Sequence, residues 1–461
     1  MEKEKISAKG HLIRWMVLIF AITYLANYFL QIRQLSYIGS ILLVSILIQG
    51  IPLLPKVNFR VVCGLLLAGG VILLWSKGDW RVWSAAIMQN ANLAVLFICS
   101  PMMALPFFYE DYQSELKVVA QTKMQSLLAF CLLINVSAHI LGVLISVGAL
   151  AIIYELLQPQ SKLYQAEDIF LSTLVRSYCS SGLWSPAWAS MVLLTSATSV
   201  TWVEVIPIGI AFSLIYIGID MATVAAKMKR NPELYPLLQA EKEARVNWRK
   251  IRTMLLLALV LISMMVMISV ITRWDLMMII PMVAALFPLL CGLSQKHMPA
   301  YKQGMSKYYR TTLVKVRSEI ALFAAAGFLG KALHFSGIGE KIPALLPDQF
   351  IAYPALMSGT IMLVLILPSL VGVHPVAIGT ALIAAVTPAS VGMTDMTFVL
   401  TMLTGWALTI LLSPFSATSL IAGNYAGRPS WDISLKLNGI FGAICLIIFS
   451  ILISFIGPIL S

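Results

Sequence analysis

Two short strings in this 461-residue chain set a hydroxyl beside a proline inside an apolar run. Leu183-Trp-Ser-Pro-Ala-Trp-Ala-Ser190 and Leu411-Leu-Ser-Pro-Phe-Ser-Ala-Thr418 both fit S-P-x-x-A-[S/T], and they lie 228 positions apart. Pro186 and Pro414 each remove a backbone donor and crowd the preceding turn, so each predicts a break in a helix. Away from water, the groups freed by a break must be met by hydroxyls or by something bound there. Ser185, Ser190, Ser413, Ser416, Thr418 and Ser419 are the hydroxyls at hand. The start of a half-helix also presents free N–H groups and a partial positive charge, which suits an anion. The plainer alternative is that these hydroxyls only bond back to their own helix. Their recurrence beside a proline favours lining a cavity.

Other side chains with chemical capacity are few. His139 and His374 fall in apolar surroundings, where an imidazole titrates near neutrality and would suit proton coupling. A hydrogen bond to backbone explains both equally simply and is the favoured reading. Arg176 lies nine residues before Ser185, about 13 Å along a helix. It would either neutralise an anion or snorkel to a headgroup layer. Glu319, Asp220 and Lys331 lie near segment ends and read as interfacial. The six cysteines are scattered without metal spacing, and no G-x-x-x-x-G-K-[S/T] phosphate loop occurs. No metal and no resident cofactor is expected.

The elements that must position these residues are membrane helices. Hydrophobic residues make up 59% of the chain and charged residues only 11%, whereas a soluble protein carries about a quarter charged. A span needs about 20 apolar residues. Such stretches occur at 12–30, 35–54, 57–75, 93–108, 169–200, 203–226, 254–272, 276–293, 320–335, 396–422 and 433–456. Two longer stretches, 127–157 and 342–393, are interrupted by polar, Gly and Pro residues. The net charge of +12 sits between apolar segments, as the positive-inside bias requires, and needs no nucleic acid to explain it. If both basic loops and the basic N-terminus are cytoplasmic, the stretch 127–157 must enter and leave on one face. The expectation is an all-α polytopic protein with about eleven transmembrane helices, two re-entrant hairpins and an external C-terminus. An inner-membrane location of the bacterial type follows.

The order span, hairpin, Ser-Pro span, closing span occurs twice, with Leu96-Phe97 and Leu322-Phe323 in corresponding spans 226 positions apart. An odd number of crossings separates the two units, which gives them opposite orientations. The expected organisation is N-terminal scaffold helices over 1–90, repeat 1 over 91–226, cytoplasmic loops and two linking helices over 227–317, and repeat 2 over 318–461. Repeat 1 holds a hairpin at about 124–157 and a broken helix at 169–200. Repeat 2 holds a hairpin at about 342–392 and a broken helix at 396–422. Inverted repeats with broken helices are the mark of secondary transporters.

The second half resembles the divalent-anion/sodium symporters of the ion transporter superfamily. The resemblance rests on Glu319-Ile-Ala-Leu-Phe-Ala-Ala-Ala-Gly-Phe-Leu-Gly330, Gly372-Val-His-Pro375, Leu412-Ser-Pro-Phe-Ser-Ala-Thr418 and Asn424-Tyr-Ala-Gly427. It implies that two opposed hairpin tips and two discontinuous helices enclose a substrate, in an elevator-type homodimer. Where that family carries Ser-Asn-Thr, the corresponding tips here are Asn135-Val-Ser137 and Pro368-Ser-Leu-Val-Gly372. Asn135, Ser137, Ser369 and Gly372 thereby join the binding residues implied by the resemblance.

The function expected is secondary active transport of a small, carboxylate-like anion, coupled to Na+ or H+. A proton/cation antiporter or a TRAP-type membrane subunit is the alternative. A membrane-embedded enzyme is disfavoured, because the acids in external loops (Asp79, Glu204, Asp275, Glu340, Asp348 and Asp395) show no catalytic pairing. The expected partners are the bilayer, the small-molecule substrate and a second copy of the chain.

Overall fold

The computed structural model describes residues 8–54, 56–232, 235, 237–239, 244–338, 350 and 353–457. Glu340, Asp348 and the first part of the stretch 342–393 lie outside them. Among the described residues there is no strand, and ten helical stretches are long and apolar enough to cross a membrane. The chain is a polytopic all-α membrane protein. Nine of the ten coincide with expected spans. The tenth, Leu127–Ile145, is the first arm of the first hairpin.

The chain divides into two compact units, each assembled from separated segments. Unit 1 contains α1 (Ala8–Leu30), α2 (Arg33–Gly50), α3 (Lys56–Trp75), α4 (Trp80–Met88) and α5 (Ala91–Met103). It is completed by α13 (Leu276–Ser294), α14 (Met298–Lys307), α15 (Arg317–Phe335) and α17 (Pro375–Ala385). Within it α3 and α4 pack along α15, and α5 packs along α13. Close approach at α15 depends on Gly327, where an added Cβ would lie 2.8 Å from the Asn90 side chain. Asn90 in turn donates to the Phe323 carbonyl at 3.2 Å. Phe97 and Phe323, equated by the repeat in the sequence, stack with ring centroids 4.8 Å apart.

Unit 2 contains α6 (Ser114–Lys123), α7 (Leu127–Ile145), α8 (Gly148–Leu163), α9 (Glu167–Ser181), α10 (Ala189–Ala197), α11 (Trp202–Arg230) and α12 (Trp248–Thr272). It also holds α16 (Pro354–Ser369), α18 (Asp395–Leu412), α19 (Ala417–Ala426) and α20 (Leu437–Ile456). Hydroxyl caps start several of these helices, as orphan first-turn N–H groups require. Ser126 opens α7, Thr394 opens α18, Ser416 opens α19, and a Thr201–Glu204 capping box opens α11.

The stretch 127–157 folds as the helical hairpin α7–α8, and α8 continues to Leu163. Its two ends meet: the Tyr164 hydroxyl donates to the Met124 carbonyl at 2.6 Å. The hairpin therefore enters and leaves at one end, the geometry that parity of the basic loops demanded. Its tip is Ser146-Val147, with Ser146 at φ +56°. The resemblance placed the tip at Asn135-Val-Ser137, and that placement is wrong. Both residues are in mid-helix, because nothing in Leu127–Ile145 breaks the helix before Ser146. In the second stretch, α16 ends at Ser369 and α17 starts at Pro375. Gly372 sits in the intervening turn at φ +97°, a conformation side chains resist.

Candidate functional site

Both predicted breaks exist, and their hydrogen bonding is the same residue for residue. After α9, Ser185 N–H donates to the Ser181 carbonyl at 3.1 Å, and Trp188 N–H to the Ser185 carbonyl at 3.4 Å. The Ser185 hydroxyl donates to the Val143 carbonyl at 3.3 Å and accepts from Ala187 N–H at 3.3 Å. After α18, Ser413 N–H donates to the Thr409 carbonyl at 2.9 Å, and Ser416 N–H to the Ser413 carbonyl at 3.2 Å. The Ser413 hydroxyl donates to the Ser369 carbonyl at 2.8 Å and accepts from Phe415 N–H at 3.3 Å. Val143 is near the end of α7 and Ser369 is the last residue of α16. Each serine thus ties its break to the end of a neighbouring helix. At the second break Gly372 also lies over the Phe415 ring, with a built Cβ 3.6 Å away.

The half-helices that follow the breaks differ in how their hydroxyls are used. Ser416 accepts from Ser419 N–H at 3.1 Å and donates to the Ser419 hydroxyl at 3.1 Å, while Thr418 is buried beside them. In the first turn of α10 the Ser190 hydroxyl is buried and has no partner, and neither has the Trp188 indole N–H just before it. Pro186 and Pro414 are both buried.

Two polar pins set the direction of the broken helices. Ser199, beyond α10, donates its N–H and hydroxyl to Asp395 in the first turn of α18, at 2.8 and 2.6 Å. Arg428, beyond α19, pairs with Asp168 in the first turn of α9 at 2.5 Å. Each broken helix therefore ends where the other begins, and the two run antiparallel, as an inverted repeat requires. Both carboxylates sit at helix N-termini, where the dipole favours them.

The other predicted residues gather in a second layer of unit 2. Arg176 is 4% exposed and pairs with Asp220, which is 0% exposed, at 2.8 Å. It further donates to the Asn438 side chain at 2.7 Å, the Thr223 hydroxyl at 3.1 Å and the Leu437 carbonyl at 2.8 Å. Its guanidinium lies 4.2 Å from the Phe441 ring centroid. The π-helical turn Asp432–Lys436 leads into Leu437, and Asn438 donates back to the Ile433 carbonyl at 2.6 Å. That irregular turn aims the two acceptors at Arg176. Arg176 is thus enclosed rather than turned to the surface, and its charge meets a carboxylate of the chain.

Asn135 completes this network, donating to Asp220 at 2.9 Å and accepting from Ser177 at 2.7 Å. Ser137 bonds back to the Leu133 carbonyl at 2.6 Å, the plain helical reading. His139 is held by two partners whose roles fix its proton. Trp184 Nε1, which can only donate, reaches His139 Nε2 at 3.0 Å. The Ser180 hydroxyl donates to the Ser177 carbonyl at 2.7 Å, so His139 Nδ1–H donates to Ser180 at 2.8 Å. The ring is the neutral Nδ1–H tautomer. His374 is half-buried in the turn before α17.

Sequence reasoning missed Asp220, taken as interfacial, together with Ser177, Thr223 and Asn438. The signal was present: Asp220 follows eighteen residues into α11 and stands ten residues short of its end. A lone acid at that depth calls for a cation, and Arg176 is the cation available.

The class defined so far is a polytopic all-α membrane protein with two matched broken helices. No protein-family model matches the chain, and no curated protein matches it. Among solved structures, its fold is similar to the Alcanivorax borkumensis YdaH transporter, described as having an unusual topology. The TM-score is 0.53 at 11% identity, over 87% of this chain and 98% of that one. At that identity the likeness is one of fold.

Proposed function

We propose that this protein is a secondary active transporter that moves a small, carboxylate-like anion across the bacterial inner membrane. The observation that carries the reading is the matched pair of Ser-Pro breaks, each bonded through its serine to the end of a neighbouring helix. A broken helix at membrane depth is costly unless it is buried or lines a site. Two equivalent and antiparallel breaks are the arrangement by which transporters present half-helix ends to a solute. The N–H groups at the start of α10, with the unpartnered Ser190 hydroxyl and Trp188 indole beside them, supply donors suited to a carboxylate. The likeness in fold to a transporter supports the same reading.

Sodium is the preferred coupling ion, held by carbonyls and hydroxyls at 185–190 and 413–419. Proton coupling is the second reading, with His139 or His374 as its candidate. The division into two compact units supports an elevator mechanism in which unit 2 carries the solute. A homodimer with cytoplasmic N-termini completes the proposal. A purified sample screened by thermal shift against dicarboxylates, monocarboxylates and oxyanions, with and without sodium, tests it. A carboxylate that stabilises the wild type but not Ser185→Ala/Ser413→Ala supports the assignment. Stabilisation independent of both serines contradicts it.

A further inference from the structure

Among the described residues, Arg14 in unit 1 has no carboxylate partner for its charge. It lies at the start of the apolar stretch Leu12–Leu30 and is 5% exposed. Its Nη2 donates to the Arg310 carbonyl at 2.8 Å, within the π-helical turn Tyr308–Thr312. Its Nε and Nη1 are buried and have no hydrogen-bond partner. The Tyr309 ring covers the guanidinium, 5.5 Å from its centroid, and stands edge-on to Trp15. Tyr308 anchors the turn by donating to the Ile98 carbonyl. The guanidinium is therefore held on a fixed support by a carbonyl and a ring, while two nitrogens remain unmet. Among the described residues no carboxylate pairs with it.

A buried guanidinium without an anion is strongly unfavourable, and its planar fork matches carboxylate and phosphate. The surroundings select for negative charge. Residues 298–317 contain Lys302, Lys307, Arg310, Lys315 and Arg317 and no acid. Depth points the same way, because Trp15 is 57% exposed beside the site, and an exposed indole at a span's end marks the headgroup layer.

We propose that Arg14 anchors a phosphate-binding site at the membrane interface, with Tyr309 and Trp15 as an aromatic cover. Such a phosphate would come from an anionic lipid headgroup or from free phosphate.

The test follows thermal unfolding of the full-length protein in detergent with added phosphatidylglycerol, inorganic phosphate, or a phosphate-free galactolipid. Wild type is expected to gain about 4 °C at saturating phosphatidylglycerol, the scale of a specifically bound ligand. Arg14→Gln should lose that gain, Arg14→Lys should keep part of it, and the galactolipid should give none. A gain with phosphatidylglycerol alone assigns the lipid headgroup, whereas an equal gain with inorganic phosphate assigns the free anion. The proposal is overturned by an unchanged gain in Arg14→Gln, or by no gain in wild type with either phosphate source. It is also overturned if Glu2→Gln/Glu4→Gln destabilises as Arg14→Gln does and abolishes the gain, since Arg14 would then pair within the chain. Should Arg14→Gln fail to accumulate, phosphorus analysis of wild type and Arg14→Lys after exchange into lipid-free detergent decides. About one phosphate retained per wild-type chain, and fewer in Arg14→Lys, supports the site. Equal amounts, or none, refute it.

Discussion

Arg176 and Asp220 form an ion pair at 2.8 Å in which both side chains are fully enclosed. It joins α9 to α11, and through Asn438 and the Leu437 carbonyl it joins both to α20. The closing helices of the two repeats are therefore fixed to one cation. Breaking a buried pair from one side costs about 3–5 kcal/mol, because the remaining charge is left without a partner. Arg176→Gln and Asp220→Asn should each lower the unfolding midpoint sharply. The double variant should recover most of the loss. Equal loss in all three, measured by thermal unfolding in detergent, would show that the ionic coupling does not matter.

Two glycines of α11 give a paired test of packing at the first break. A Cβ on Gly209 would stand 2.4 Å from the Leu183 carbonyl, whereas nothing lies within 4 Å of one on Gly218. Gly209→Ala should reduce stability and folded yield. Gly218→Ala should be neutral or gain about 0.5–1 kcal/mol, as removal of a helical glycine generally does. Similar behaviour of the two would mean that α11 does not press on the break.

The first hairpin's closure is open to labelling. Lys123 and Lys162 lie at its two ends and are exposed. Cysteines placed at these positions should react with a membrane-impermeant reagent from the same face of the membrane. Reaction from opposite faces would convert the hairpin into a full crossing and contradict the bond between Tyr164 and Met124.

Much of this architecture was legible because proline and glycine act locally. Pro186 and Pro414 each stand with a serine before them, and each break lies there, whereas Pro207, Pro281 and Pro288 lie inside continuous helices. The first hairpin's tip was misplaced for the complementary reason. Asn135 and Ser137 look like interruptions in a list of residues. In the structure, Ser137 is satisfied by its own helix and Asn135 by Asp220 and Ser177. Polar side chains break a helix only when they compete for its backbone, and here they do not. The Arg176 network was hidden because its members come from four separated helices. Only the burial depth of Asp220 hinted at it.

The two pins between the broken helices are exposed, and exposed pairs contribute little to stability. Arg428→Ala should cost no more than about 1 kcal/mol. If release of these pins accompanies transport, the same variant should alter the uptake rate well beyond its small effect on the unfolding midpoint. A rate unchanged within error would confine the pin to a structural role.

The central claim is coupled transport through the paired Ser-Pro breaks, and uptake into proteoliposomes under separately imposed gradients tests it most directly. An inward sodium gradient should drive accumulation of a stabilising carboxylate, and Ser185→Ala/Ser413→Ala should lower it at least tenfold while the protein remains folded. No accumulation under either a sodium or a pH gradient would contradict transport. Accumulation driven by pH alone and abolished by His139→Ala or His374→Ala would contradict sodium coupling at the breaks.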